Sequence, residues 1–149
     1  MTGPADAPAL RRLAESYALA ADRRDGALFA RQFTQDGVLV APRGTFTGRA
    51  ELATVPALLD RYEATFHAVM NQVAEFDGET AAAQTYSIAR HFLRDGSGQR
   101  LCYEMTIRYL DGFRREAGEW LISRRELVTL ATRTFPVDDE PRRGAKEAR

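Results

Sequence analysis

From Pro8 to Asp22, apolar side chains recur every three or four residues, at Leu10, Leu13, Tyr17 and Ala20–Ala21. That stripe predicts an amphipathic helix. Arg23-Arg24-Asp25-Gly26 breaks it, and Asp25 can cap a second helix over Gly26–Phe33 with Leu28, Phe29 and Phe33 on its apolar side. Asp36-Gly37 marks a turn, Val38-Leu39-Val40 a short strand, and Pro42–Gly48 a loop. A third helix is predicted over Arg49–Tyr62, bent or interrupted at Pro56.

The period then changes to two. In Thr65–Asp77, Phe66, Ala68, Met70, Ala74 and Phe76 share one face, and His67, Val69, Asn71 and Val73 share the other. Neither face is simply polar, so the pattern predicts a strand buried on both sides, one toward the core and one forming a pocket wall. Glu79–Arg94, Arg100–Arg115 and Glu119–Thr132 follow as strand patterns joined by short turns. In the middle one, Leu101, Tyr103, Met105, Ile107, Tyr109 and Phe113 alternate with Cys102, Glu104, Thr106 and Arg108, which read as a solvated or wet contact face. Helices first and strands after predict an α+β fold: three N-terminal helices on a curved antiparallel (mixed-edge) sheet closing a conical pocket.

With 149 residues, the chain is expected to form one domain over 1–135, followed by a loose polar tail over 136–149. A formal net charge of zero, with no long basic run before the tail, argues against nucleic acid or a membrane surface as partner. No apolar run reaches spanning length and no secretory leader pattern opens the chain, so a cytoplasmic location is expected. Cys102 is the single cysteine, which excludes an internal disulfide, and with two histidines a zinc cluster is not expected. Lys146, in the tail, is the single lysine, which disfavours Schiff-base chemistry. No glycine-rich nucleotide cradle is present. No cofactor and no metal are therefore expected, and the chemistry left is that of His, Asp, Glu and Tyr.

His67 lies on the pocket-wall strand, and an imidazole can move protons either way. Asp22, where the first helix ends, is the plausible carboxylate to fix its tautomer. Taken by spacing alone, Asp22 is equally a turn residue and Tyr17 a core tyrosine with its hydroxyl at the rim. His91 has small in-register neighbours (Ala83, Thr85, Ser87, Ala89), leaving two readings open: it lines the pocket, or it sits at a strand end in water. Arg124-Arg125-Glu126 reads as an ion-paired strand end.

Several ordered pieces resemble SnoaL-like domains of the nuclear-transport-factor-2-like superfamily. They are Tyr17-x4-Asp22-x2-Asp25-x3-Phe29-x3-Phe33-x2-Asp36-Gly37, Gly48-Arg49-Ala50-Glu51-Leu52, Thr65-x-His67-x3-Asn71, Phe76-Asp77-Gly78-Glu79-Thr80-Ala81 and Tyr109-x-Asp111-x-Phe113-x5-Gly118-x-Trp120-x-Ile122-x2-Arg125. The resemblance implies a cone-shaped α+β barrel, usually dimeric, so a homodimer or higher homo-oligomer is expected. The chain is most similar to the branch holding scytalone dehydratase and the bile-acid 7α-dehydratases, which implies acid/base roles for Tyr17, Asp22 and His67. A small, mostly apolar, perhaps polycyclic substrate is expected against Phe29, Asn71, Tyr86, His91, Tyr103 and Met105. Dehydratase, isomerase and polyketide-cyclase chemistry all fit. The alternatives are a non-catalytic ligand-binding protein or the small subunit of a ring-hydroxylating dioxygenase.

Overall fold

The computed structural model describes residues 3–139. Helix α1 runs Ala7–Arg23 and buries Leu10, Leu13, Ala14, Tyr17, Ala18, Ala20 and Ala21, the stripe its spacing predicted. It ends at Arg24, whose left-handed backbone (φ 58°) returns its N–H to the carbonyls of Ala20 and Ala21. The Asp25 side chain accepts from the Leu28 N–H at 2.9 Å and starts α2 (Gly26–Arg31). Helix α3 (Gly48–Leu52) is short, and a 3₁₀ turn over Pro56–Leu59 replaces the rest of the expected third helix, because Pro56 lacks the N–H to continue it.

Six strands form one curved, unclosed sheet in the order β2-β1-β6-β5-β4-β3. They are β1 (Phe33–Ala41), β2 (Gly44–Thr47), β3 (Ala64–Asp77), β4 (Thr80–Arg94), β5 (Arg100–Glu116) and β6 (Glu119–Pro136). Strands β3 to β6 are an antiparallel meander, while β1 lies parallel to β6 and makes the sheet mixed. The expected loop at 42–48 is a hairpin instead, with β2 paired antiparallel to β1. Strand β6 runs on to Pro136, and the Val137 N–H reaches the Arg100 carbonyl at 3.0 Å. The Asp138 carbonyl and the Asp139 carboxylate accept from Arg100 and Arg94, and the rest of the expected tail, 140–149, lies outside the described residues.

The helices cover the inner face of the sheet around a core of Phe29, Phe33, Leu39, Leu52, Ile107, Phe113 and Ile122. Strand β3 is not buried on both sides. It is a sheet edge, and Phe66 and Met70, expected in the core, are 54% and 45% exposed on the outer face. His67 and Val69 take the inner face there, and a bulge between Val69 and Gln72 then shifts the register by one residue. Arg11 from α1 donates to the Val69 and Met70 carbonyls there. Gln72, Ala74 and Phe76 are then the more enclosed positions, while Val73 is 65% exposed.

Candidate active site

Two elements meet at the candidate site: the C-terminal turn of α1 and the first half of β3. Asp22 Oδ1 lies 2.6 Å from His67 Nδ1 and accepts the Thr65 hydroxyl at 2.9 Å, and Oδ2 accepts the His67 backbone N–H at 3.0 Å. Arg24 can only donate, and it donates to Thr65 Oγ1 at 2.8 Å, so the single Thr65 proton points at Asp22. Further bonds to the Ala21 and Leu59 carbonyls fix the Arg24 guanidinium. Burial pushes the Asp22 carboxyl upward, but the His67 ring, the His67 N–H and Thr65 outweigh it and hold the carboxyl below its ordinary value. An ionised carboxylate only accepts, so His67 carries its proton on Nδ1. Nε2 has no hydrogen-bond partner among the described residues.

The His91 ring packs edge-on against His67, with centroids 5.7 Å apart. Its Nδ1 donates to the Tyr103 carbonyl at 3.0 Å, so its Nε2 is the basic nitrogen as well. Burial, partly offset by that bond, lowers the His91 pKa and favours the neutral ring. His91, Tyr62, Tyr103 and Met105 line a cavity of about 400 Å³ with Leu127 and Thr129 at its side. Tyr62, 4.8 Å from the His91 ring, also lines a smaller groove of about 360 Å³ that contains Asp22 and Thr65. His67 itself, with its side chain 10% exposed, is not in the cavity lining but touches it through the edge contact of its ring with His91.

Of the residues expected in the site, Asp22 and His67 are in contact, and His91, Tyr103 and Met105 reach the cavity. The others do not. Tyr17 lies in the core, where its hydroxyl meets Tyr109 and Arg125 and burial raises its pKa. Phe29 packs on Tyr17 at 4.5 Å and is 1% exposed. Asn71 is exposed in the bulge. Tyr86 alternates onto the outer face, where Arg108 covers its ring.

Arg125 is ion-paired, as expected, but in the interior of β6 rather than at a strand end. It is 1% exposed and grips Asp111 with two bonds of 2.7 and 2.8 Å, its guanidinium 4.0 Å from the Tyr109 ring centroid and 4.4 Å from that of Tyr17. Glu104 is likewise not solvated, but buried between Arg90 and Arg133. Tyr62, Thr65 and Arg24 were missed as site residues. A signal existed for Thr65, two positions before His67 on the same strand face. For Tyr62, at the end of an expected helix, there was none.

Among the described residues no group of three or more His, Cys, Asp or Glu is placed to hold a metal ion, and no helix is long and apolar enough to cross a membrane. A family model described as SnoaL-like domain matches residues 5–126. No curated protein is significantly similar in sequence. Among solved structures, a protein from Novosphingobium aromaticivorans provisionally described as a scytalone dehydratase is 23% identical, with 90% of each chain covered and a TM-score of 0.77. A hexachlorocyclohexane dehydrochlorinase from Novosphingobium barchaimii is 18% identical over 89% of this chain and 90% of its own, with a TM-score of 0.75. A second Novosphingobium aromaticivorans protein, provisionally described as an aromatic ring hydroxylase, is 20% identical over 92% and 96%, also with a TM-score of 0.75. At these identities the likeness is one of fold.

Proposed function

The chain belongs to the SnoaL-like domain family, and from that premise we propose that it is a cofactor-independent acid/base enzyme, a lyase of the dehydratase type or an isomerase, acting on a mostly apolar small molecule. One observation carries the reading: Asp22 holds the His67 ring through Nδ1 at 2.6 Å and leaves Nε2 free to act as a base. His67 Nε2 takes a proton from a carbon next to a carbonyl, and Asp22 stabilises the imidazolium that forms. Tyr62 takes the donor role that the resemblance implied for Tyr17. Its hydroxyl accepts from Arg61 at 2.7 Å, so its own proton is free for a carbonyl or leaving oxygen. In a dehydration the C–H electrons form the new C=C bond, the C–O bond breaks, and the leaving hydroxyl departs as water with the Tyr62 proton. In an isomerisation His67 returns its proton to another carbon. Two of the similar structures carry names that denote eliminations, a dehydratase and a dehydrochlorinase.

The test is turnover of a panel of cyclic hydroxy-ketones. His67→Ala and Asp22→Asn each lose about 10²-fold or more with circular dichroism unchanged. Turnover retained in both variants ends the proposal.

Phe66, Met70, Val73, Leu110 and Leu130 are 40–65% exposed. They favour docking of another chain, which we expect to be a second copy, in a homodimer or higher homo-oligomer. The same surface keeps open a non-catalytic role as a dioxygenase small subunit. Co-purification with a larger oxygenase chain, with no turnover by the protein alone, supports that second reading.

A further inference from the structure

The charges around the cavity are one-sided. Arg43, at the tip of the β1–β2 hairpin, and Arg61, just before β3, are the charged residues in its lining, and no carboxylate lies there among the described residues. Arg43 has no ion-pair or hydrogen-bond partner among the described residues. Arg61 is braced over the Tyr62 ring, 4.8 Å from its centroid. The nearby acids are committed elsewhere: Asp60 faces Arg24 at 3.5 Å, and Glu63 pairs with Arg94 and Arg100. Asp22, Asp60 and Glu63, against the one cation Arg24, line the groove on the other side of Tyr62. Tyr62 thus divides a cationic mouth from an acidic groove. The rest of the cavity wall is largely apolar, and its volume of about 400 Å³ suits a ring-sized molecule.

We infer that the cavity takes an organic acid, its apolar body seated against His91, Met105 and Leu127 and its carboxylate held at the mouth by Arg43 and Arg61. This rests on the cavity being the substrate site and specifies the substrate class. Guanidinium groups match carboxylates in geometry as well as charge, and acids across Tyr62 repel the reversed orientation.

The experiment is isothermal titration of the full chain with naphthalene-2-carboxylate and its neutral isostere naphthalene-2-carboxamide at low ionic strength. The acid binds about 10-fold or more tighter. The preference collapses in the Arg43→Gln/Arg61→Gln double variant, which keeps its circular dichroism because both side chains are exposed. It also narrows as salt is added. Equal affinities, tighter binding of the amide, a preference that survives the double substitution, or no binding of either probe overturns the inference. The readout is binding, so it separates from the chemistry: His67→Ala loses turnover and keeps the preference. If His67→Ala and Asp22→Asn both retain turnover, the acid/base reading fails while the carboxylate preference stands on its own.

Discussion

Removing the negative end of the Arg125–Asp111 pair perturbs the most deeply buried ion pair among the described residues. Arg125 and Asp111 side chains are 1% and 0% exposed and share two short bonds. Asp111 Oδ2 also accepts Thr85 Oγ1 at 2.8 Å, which in turn accepts Gln72 Nε2 at 2.9 Å. Burial favours a neutral guanidine, but Asp111 overrides it and keeps Arg125 protonated. Asp111→Ala leaves that cation between two tyrosine rings with no counter-ion, and breaking one side of such a pair costs about 3–5 kcal/mol. At about 2–4 °C per kcal/mol for a chain of this size, the melting temperature falls by about 6–20 °C. Replacing both partners by apolar residues, Asp111→Leu with Arg125→Met, removes the isolated charge and its desolvation together, so the double variant is close to wild type or more stable. Equilibrium urea unfolding read by circular dichroism gives both values. A loss below about 1 kcal/mol in Asp111→Ala, or a double variant as unstable as the single, refutes the reasoning.

Asp22 links stability to pH. Its folded pKa lies below 3.8, so the unfolded chain binds more protons in the acid range; the stabilisation is complete above pH 3.8 and is lost as pH falls through the depressed folded value. The stability difference between wild type and Asp22→Asn in urea titrations therefore shrinks on acidification, whereas a constant difference contradicts the hydrogen-bond pattern. At Gly26, an added Cβ would stand 2.1 Å from the Ala53 carbonyl oxygen, a backbone atom that cannot swing away. Gly26→Ala is accordingly destabilising by about 1–3 kcal/mol in thermal or urea unfolding, although it is a helical position where alanine is usually preferred. If the outer sheet face seats a second copy, the Met70→Glu/Leu130→Glu pair shifts sedimentation to a smaller species without changing circular dichroism.

Helix α1 was legible in the sequence because its period of 3.6 is set by one continuous buried stripe, and the Asp25 cap because its chemistry is local. The meander was legible from alternation and turns. Strand β3 was misread at its centre because a bulge cannot be seen in a pattern of period two. One extra residue moved Asn71 to the outside, and the edge position left Phe66 and Met70 uncovered. The hairpin at Gly44–Thr47 was missed because four residues carry little hydrophobic signal and depend on pairing with β1. Arg125 was legible as ion-paired but not as buried, because its partner Asp111 lies on the neighbouring strand, beyond any local pattern. Asp22 and His67 were paired correctly although 45 residues separate them. Tyr17 was not, because a helix face turned toward Tyr109 and Arg125 takes its hydroxyl into the core.

The most direct measurement of the proposed chemistry is hydrogen exchange in the substrate. With a cavity-sized cyclic ketone in D₂O, wild-type protein is expected to wash deuterium into the carbon next to the carbonyl, and His67→Ala to do so at least about 10²-fold more slowly. Equal exchange by the two proteins, at a rate above the solvent background, contradicts the assignment of His67 as the base.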